Sequence, residues 1–187
     1  MSTEMQIALV GVIGTLVGTL LGWLLNNISQ SGKLNVFVSS FIDSFKHNEV
    51  GCMVPSSSVE QAEHYSYKLT LDLYNSSGQT KILRNLTVVF SDGKRVLFES
   101  VPHDDRTKRK SGPVCFYDEI SPVNIPPKTI IQLNLHNGFG LKRDNTDFIW
   151  NVQKIYLTYI DEKNKLKKVN IKSEHYCHHF ESNKKGG

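Results

Sequence analysis

Two short stretches of this 187-residue chain gather side chains able to do chemistry. The first is His103-Asp104-Asp105-Arg106-Thr107-Lys108-Arg109-Lys110, in which the cations Arg106, Lys108, Arg109 and Lys110 fall within five positions. A loop of this kind can hold lipid phosphates or another anionic ligand, each cation contributing about 1 kcal/mol near an anionic surface. With Asp104 and Asp105 beside them, the same residues also suit a plain solvated loop. The second stretch is EHYCHHF, with His175, Cys177, His178 and His179. Histidine and cysteine two apart in an extended chain point the same way and are soft metal ligands. A closed zinc site needs four ligands on a supported shell, whereas this cluster lies beside a polar C-terminus; His47, His64 and Cys52 are the side chains able to complete one. No resident metal and no cofactor are expected.

Signatures of catalysis are missing: no G-x-S-x-G, P-loop, dinucleotide glycine fingerprint or H-E-x-x-H occurs, and Gly138-Phe139-Gly140 is too short to count as one. The paired acids Asp104-Asp105, Asp118-Glu119 and Asp161-Glu162 fall in predicted turns, where solvation accounts for them. The expectation is therefore a protein that is not an enzyme. Cys52, Cys115 and Cys177 are odd in number and widely spaced, which indicates neither a disulfide framework nor a zinc ribbon and suits reduced thiols in a cytoplasm.

These side chains must be held by something, and the first element of the chain sets where. Ile7 to Leu25 is an uncharged, apolar run of nineteen residues, close to the length needed to cross a hydrocarbon core of about 30 Å. A secretory signal would show a basic segment before the run and a small-residue cleavage site after it, and neither is present. As a helix of a soluble protein, the run would have no polar face to turn toward water. The run reads as an uncleaved single-pass anchor. Its N-terminal flank carries Glu4 and no Lys or Arg, while Lys33 and Lys46 follow it, so the positive-inside rule places the N-terminus outside and the C-terminal domain in the cytoplasm. In the reverse orientation, the sequons at Asn27, Asn75 and Asn85 would matter in a eukaryotic secretory pathway. The terminal Lys184-Lys185-Gly186-Gly187 resembles a dilysine retrieval signal, which the cytoplasmic orientation permits.

Gly11, Gly14, Gly18 and Gly22 follow one another by three, four and four residues and so share one helix face, beside Thr15 and Thr19. Two overlapping G-x-x-x-G repeats let helix backbones approach closely in lipid. Self-association or pairing with another transmembrane protein is the reading this face supports. Glycine is also simply common in membrane helices.

Beyond the anchor, formal charge is +5 against +4 for the whole chain, because Glu4 is the only charged residue before Lys33. This modest excess suits a domain near anionic lipid and lacks the concentrated stripe of a nucleic-acid binder, so no nucleic acid is expected as a partner. From Lys33 onward, apolar residues alternate with polar ones, as in half-buried strands. Tyr65, Tyr67, Leu69, Leu71 and Leu73 are the clearest set. A first strand is predicted near Leu34 to Ser40, a turn of helix at Phe41 to His47 and a long connection from His47 to Glu63. A turn is predicted at Asn75 to Gly78 and a hairpin at Asp92-Gly93, and later strands at Ile131 to Leu135, Val152 to Ile160 and Val169 to Ile171.

Seven or eight such strands fit a two-sheet sandwich, with an open β-barrel as the competing fold. The stretches YKLTLDLYNSSG, NLTVVFSDGK, NIPPKTIIQLNL and KIYLTYIDEKNKLKK resemble those of immunoglobulin-like or fibronectin-type-III-like sandwiches at the level of architecture. The expected layout is a mainly β protein: residues 1–32 as tail, single transmembrane helix and a short linker of Asn26 to Gly32, 33–173 as an immunoglobulin-like β-sandwich, and 174–187 as a polar tail. Two functions follow. One is a membrane-anchored, non-enzymatic interaction module whose β domain binds a protein partner. The other is a ligand-sensing membrane effector, similar to some bacterial defence proteins, in which a small anionic ligand on the β domain drives oligomerisation of the anchor.

Overall fold

The computed structural model describes residues 2–56, 61–141 and 147–172. Among these, one α-helix, α1 (Thr3–Gln30), leads into twelve strands, with short 3-10 turns at Asp105–Thr107 and Asp147–Asn151: β1 (Leu34–Glu49), β2 (Cys52–Pro55), β3 (His64–Asn75), β4 (Lys81–Ser91), β5 (Val96–Ser100), β6 (His103–Asp104), β7 (Arg109–Ser111), β8 (Val114–Phe116), β9 (Val123–Ile125), β10 (Ile130–Gly140), β11 (Lys154–Ile160) and β12 (Leu166–Lys172). Ser2 caps α1, its hydroxyl accepting from the Met5 N–H. None of the helix is buried, and its apolar window, of mean hydropathy 2.1, is long enough to cross a membrane.

The first sheet runs β2-β1-β3-β10-β6 and the second β12-β11-β4-β5, with β9 added beside the start of β4. Each of these pairings is antiparallel. No strand pairing joins the two sheets and both keep free edges, so the strands form a two-sheet sandwich rather than one barrel sheet. The alternating residues of β3 face inward as expected: Tyr65, Tyr67, Leu69, Leu71 and Leu73 are almost wholly buried. They meet Leu86, Val88 and Phe90 of β4, Leu133 and Leu135 of β10, and Ile155 and Leu157 of β11. At one end of this core the rings of Tyr65, Phe90 and Phe139 lie 5.2 to 6.0 Å apart, and Phe45 stacks on Trp150 at 5.0 Å.

Three expectations change. Phe41 to His47 is strand, not helix: β1 continues through it to Glu49. A bulge at Ser39 separates the pairs Val38–Leu71 and Ser40–Thr70, and it switches the inward positions from Val36 and Val38 to Phe41, Asp43 and Phe45. The His47–Glu63 connection contains β2, folded back on β1 through Val50-Gly51. Finally, the linker is far shorter than seven residues, because α1 runs on to Gln30 and leaves Ser31, Gly32 and Lys33 before β1.

The sandwich thus has an anchor end and a far end. At the anchor end lie the start of β1, the β3–β4 turn, the β9–β10 turn and the β11–β12 turn. At the far end lie the β1–β2 and β4–β5 hairpins.

Candidate functional site

Among the described residues, three places bring chemistry-bearing side chains together, and the first is the junction between helix and sandwich. The Asn75-Ser76-Ser77-Gly78 turn forms a socket for the end of α1. Asn75 is fully buried, its amide donating to the carbonyls of Gln79 (2.7 Å), Ile125 (3.0 Å) and Pro126 (3.0 Å) while its carbonyl accepts from the Ser77 N–H and hydroxyl. Ser76 is tied to Lys33 by three bonds: its N–H and hydroxyl donate to the Lys33 carbonyl and its hydroxyl accepts from the Lys33 N–H. Gln79 donates to the Gln30 side chain at 2.9 Å. Glycine is needed on both sides of the contact. A Cβ at Gly32 would lie 2.7 Å from the Ser76 backbone, and one at Gly78 would lie 2.9 Å from the Ser29 carbonyl. The helix end and the sandwich are therefore in direct backbone contact.

The second place is a cleft of about 510 Å³ on the outer face of the first sheet, roofed by β8 and the residue that follows it. Lys46, His64, Lys68, His103 and His136 line it together with Cys115, Phe116 and Tyr117. Strand pairing explains the grouping: His136 of β10 stands opposite Lys68 of β3 and His103 of β6, and Gly138 leaves room for the His64 ring, which a Cβ there would meet at 2.7 Å. His136 Nδ1 lies 2.5 Å from Asp105 Oδ1, and the Tyr117 ring meets the His136 ring edge-on at 4.4 Å. The buried Nδ1 of His103 has no hydrogen-bond partner among the described residues. Amines and imidazoles beside two aromatic rings make a recognition surface for oxygen-rich or anionic groups. Below this floor the Tyr67 hydroxyl, bonded to Ser100 at 3.0 Å, has its phenol pushed far above the ordinary range by burial, so it remains neutral.

The third is the basic segment. Arg106 is committed internally: its guanidinium forks onto the buried Asp104 carboxylate at 2.6 to 3.0 Å, and its N–H donates to the same group. Burial alone would push the Asp104 carboxyl up, but the Arg106 bonds hold it below the usual carboxylate range. Arg109 pairs with Asp118 at 2.5 Å. Lys108 and Lys110 keep free ammonium groups as far as ion pairs among the described residues go; Lys108 lies 6.0 Å from the Tyr117 ring centre. The residues that lead into this segment, His103 and Asp104, pair with His136 and Leu135 of β10, five to six residues from Ile130, so its entry stands about 17 to 20 Å along β10 from the anchor end. Beyond it β7 and β8 form a hairpin on which every residue is exposed, including Val114 and Phe116 at 50% and 51%.

On α1, nothing lies within 4 Å of where a Cβ would stand on Gly11, Gly14, Gly18 or Gly22. Thr15 and Thr19 return their hydroxyls to the carbonyls of Gly11 and Thr15, which satisfies them within the helix and leaves the small-residue strip clear. His175, Cys177, His178 and His179 lie outside the described residues, as does the dilysine tail. Among the described residues no three His, Cys, Asp or Glu side chains gather as a metal site. The Asn75 socket and the His-lined cleft were not singled out from sequence, since both depend on pairings between strands far apart in the chain.

Comparison with known proteins is consistent with this architecture. The SPbeta prophage-derived protein YopI of Bacillus subtilis (strain 168) is 24% identical over 164 residues, covering 85% of this chain and 90% of that one. A crystal structure from Bordetella pertussis, designated Putative ApaA Protein, covers 76% of this chain and 90% of its own at 16% identity, with a TM-score of 0.36. The model of the YopI Ig-like domain matches residues 32–172, the whole sandwich from the socket to the last strand, and the chain belongs to that family.

Proposed function

We propose that this chain is a non-enzymatic, single-pass membrane protein whose cytoplasmic Ig-like domain binds a protein partner through the β7–β8 hairpin and the cleft beneath it. One observation carries the reading. Val114 and Phe116 stand on a two-stranded hairpin whose residues are all exposed, and apolar side chains on an unpaired edge are surface for another molecule rather than core. Lys108 and Lys110 beside them favour a partner with an acidic rim. The glycine face of α1 supplies a second contact, with another copy of the helix or another transmembrane protein.

A photo-crosslinking residue at Phe116 of the full chain, activated in native membranes, is expected to give a discrete adduct with a second protein, and the same residue at Asn170 on the opposite sheet is expected to give none. Equal adducts at both sites, or none at Phe116, contradict the reading. The ligand-sensing alternative rests on the cleft, where Lys46, Lys68 and three histidines could receive a small anion. It requires the oligomeric state to change when a nucleotide second messenger is added, and a scaffold does not.

A further inference from the structure

A basic cleft of about 300 Å³ lies at the anchor end, where Lys33 meets the β11–β12 turn through Lys163, Lys165 and Lys167. These lysines lie far from Lys33 in sequence, so positive charge next to the anchor is underestimated when only the adjacent residues are counted. The two acids of the turn are already engaged. Asp161 Oδ1 accepts the N–H groups of Lys163 (3.0 Å) and Lys165 (2.8 Å), its Oδ2 lies 3.6 Å from Lys167, and Glu162 pairs with Lys81 at 2.5 Å. Burial alone would push the Asp161 carboxyl up, and those N–H groups together with Lys167 keep it low. Lys33, Lys163 and Lys165 have no ion-pair partner among the described residues, and Arg84, which donates to the Asp161 carbonyl behind the turn, has no carboxylate either.

The socket fixes the height of this cleft. From Leu25, the end of the apolar run, to Gln30 the helix rises about 8 Å, which matches a headgroup layer of about 5 to 8 Å on each side of the hydrocarbon core. Lys33 is bound to Ser76 just beyond that point, so it and the β11–β12 turn face the outer edge of the headgroup layer, within reach of the phosphates for an extended lysine side chain. We infer that this cleft is a binding site for the phosphate of an anionic lipid, and that it orients the sandwich on the membrane surface. The lipid-facing cations are then Lys33, Lys163 and Lys165, which leaves the segment from Arg106 to Lys110, entered through the β6–β10 pairing, to the partner.

The inference rests on the anchor reading, and the test separates the two. The full chain is reconstituted in nanodiscs containing phosphatidylcholine and phosphatidylglycerol, then extracted with mild detergent, and the retained lipids are quantified by mass spectrometry. The wild type is expected to retain phosphatidylglycerol several-fold above its share of the bilayer. The combined Lys33→Gln, Lys163→Gln and Lys165→Gln variant is expected to retain it in proportion to the bilayer, and Arg at the same three positions is expected to restore enrichment. Lys108→Gln with Lys110→Gln should leave enrichment intact. Equal enrichment in the triple variant, or its loss only in the Lys108 and Lys110 variant, overturns the inference. So does displacement of the lipid by millimolar inorganic phosphate, which would mark a free-anion site. A chain that failed to enter nanodiscs would overturn the anchor reading as well, whereas one that entered without enrichment would overturn this inference alone.

Discussion

Asn75 belongs to one of the three N-x-S/T triplets, and in the folded protein its amide is engaged by three backbone carbonyls. Replacing it with Ala would leave three carbonyls and the Ser77 N–H in a buried pocket without their partner. At about 1 to 3 kcal/mol for each unsatisfied buried group, partly relieved by relaxation, Asn75→Ala is expected to cost about 3 kcal/mol or more. That corresponds to a fall of roughly 6 to 12 °C in the melting temperature of the detergent-purified chain; an unchanged melt would deny Asn75 this role. The triplet's turn character was legible from Asn-Ser-Ser-Gly, but its function as a socket was not, because the groups it grips come from residues 125 and 126. The basic segment shows the opposite limit. Its charge was obvious, but the fork of Arg106 onto Asp104 depends on a single 3-10 turn, Asp105–Thr107, that charge spacing does not reveal.

At the scale of elements, alternation was readable wherever a strand kept its register. β3 held one parity throughout and was placed directly, whereas β1 changed parity at Ser39, which left Phe41, Ile42 and Phe45 with a spacing that imitates a helix. β4 does the same at Asn85, whose φ of 51° marks the extra residue that moves the inward set from Leu83 to Leu86, Val88 and Phe90. The N-terminal helix was the most legible element, because length and absence of charge suffice to read a long apolar helix there. Its glycine strip is open along its length, so helix pairing should depend on it. Gly14→Leu combined with Gly18→Leu is expected to abolish crosslinking between helices in membranes, and undiminished crosslinking would contradict a role for this face in assembly.

For the molecule as a whole, the shortness of the junction matters most. With α1 continuous to Gln30 and Gly32 and Gly78 both in backbone contact across the seam, the Ig-like domain is seated on its helix rather than tethered to it. With the helix spanning a membrane as proposed, the lysine cleft faces the membrane surface, and the hairpin and the His-lined cleft are left to the proposed partner. Everything in this arrangement depends on the sandwich lying on the cytoplasmic side. The most direct measurement uses cysteines the chain already exposes, Cys52 and Cys115. In a Cys177→Ser background carrying Ser2→Cys, an impermeant maleimide applied to intact cells should label the introduced N-terminal thiol alone, and Cys52 and Cys115 should react only after the membrane is opened. Labelling of Cys52 or Cys115 in intact cells would contradict the account.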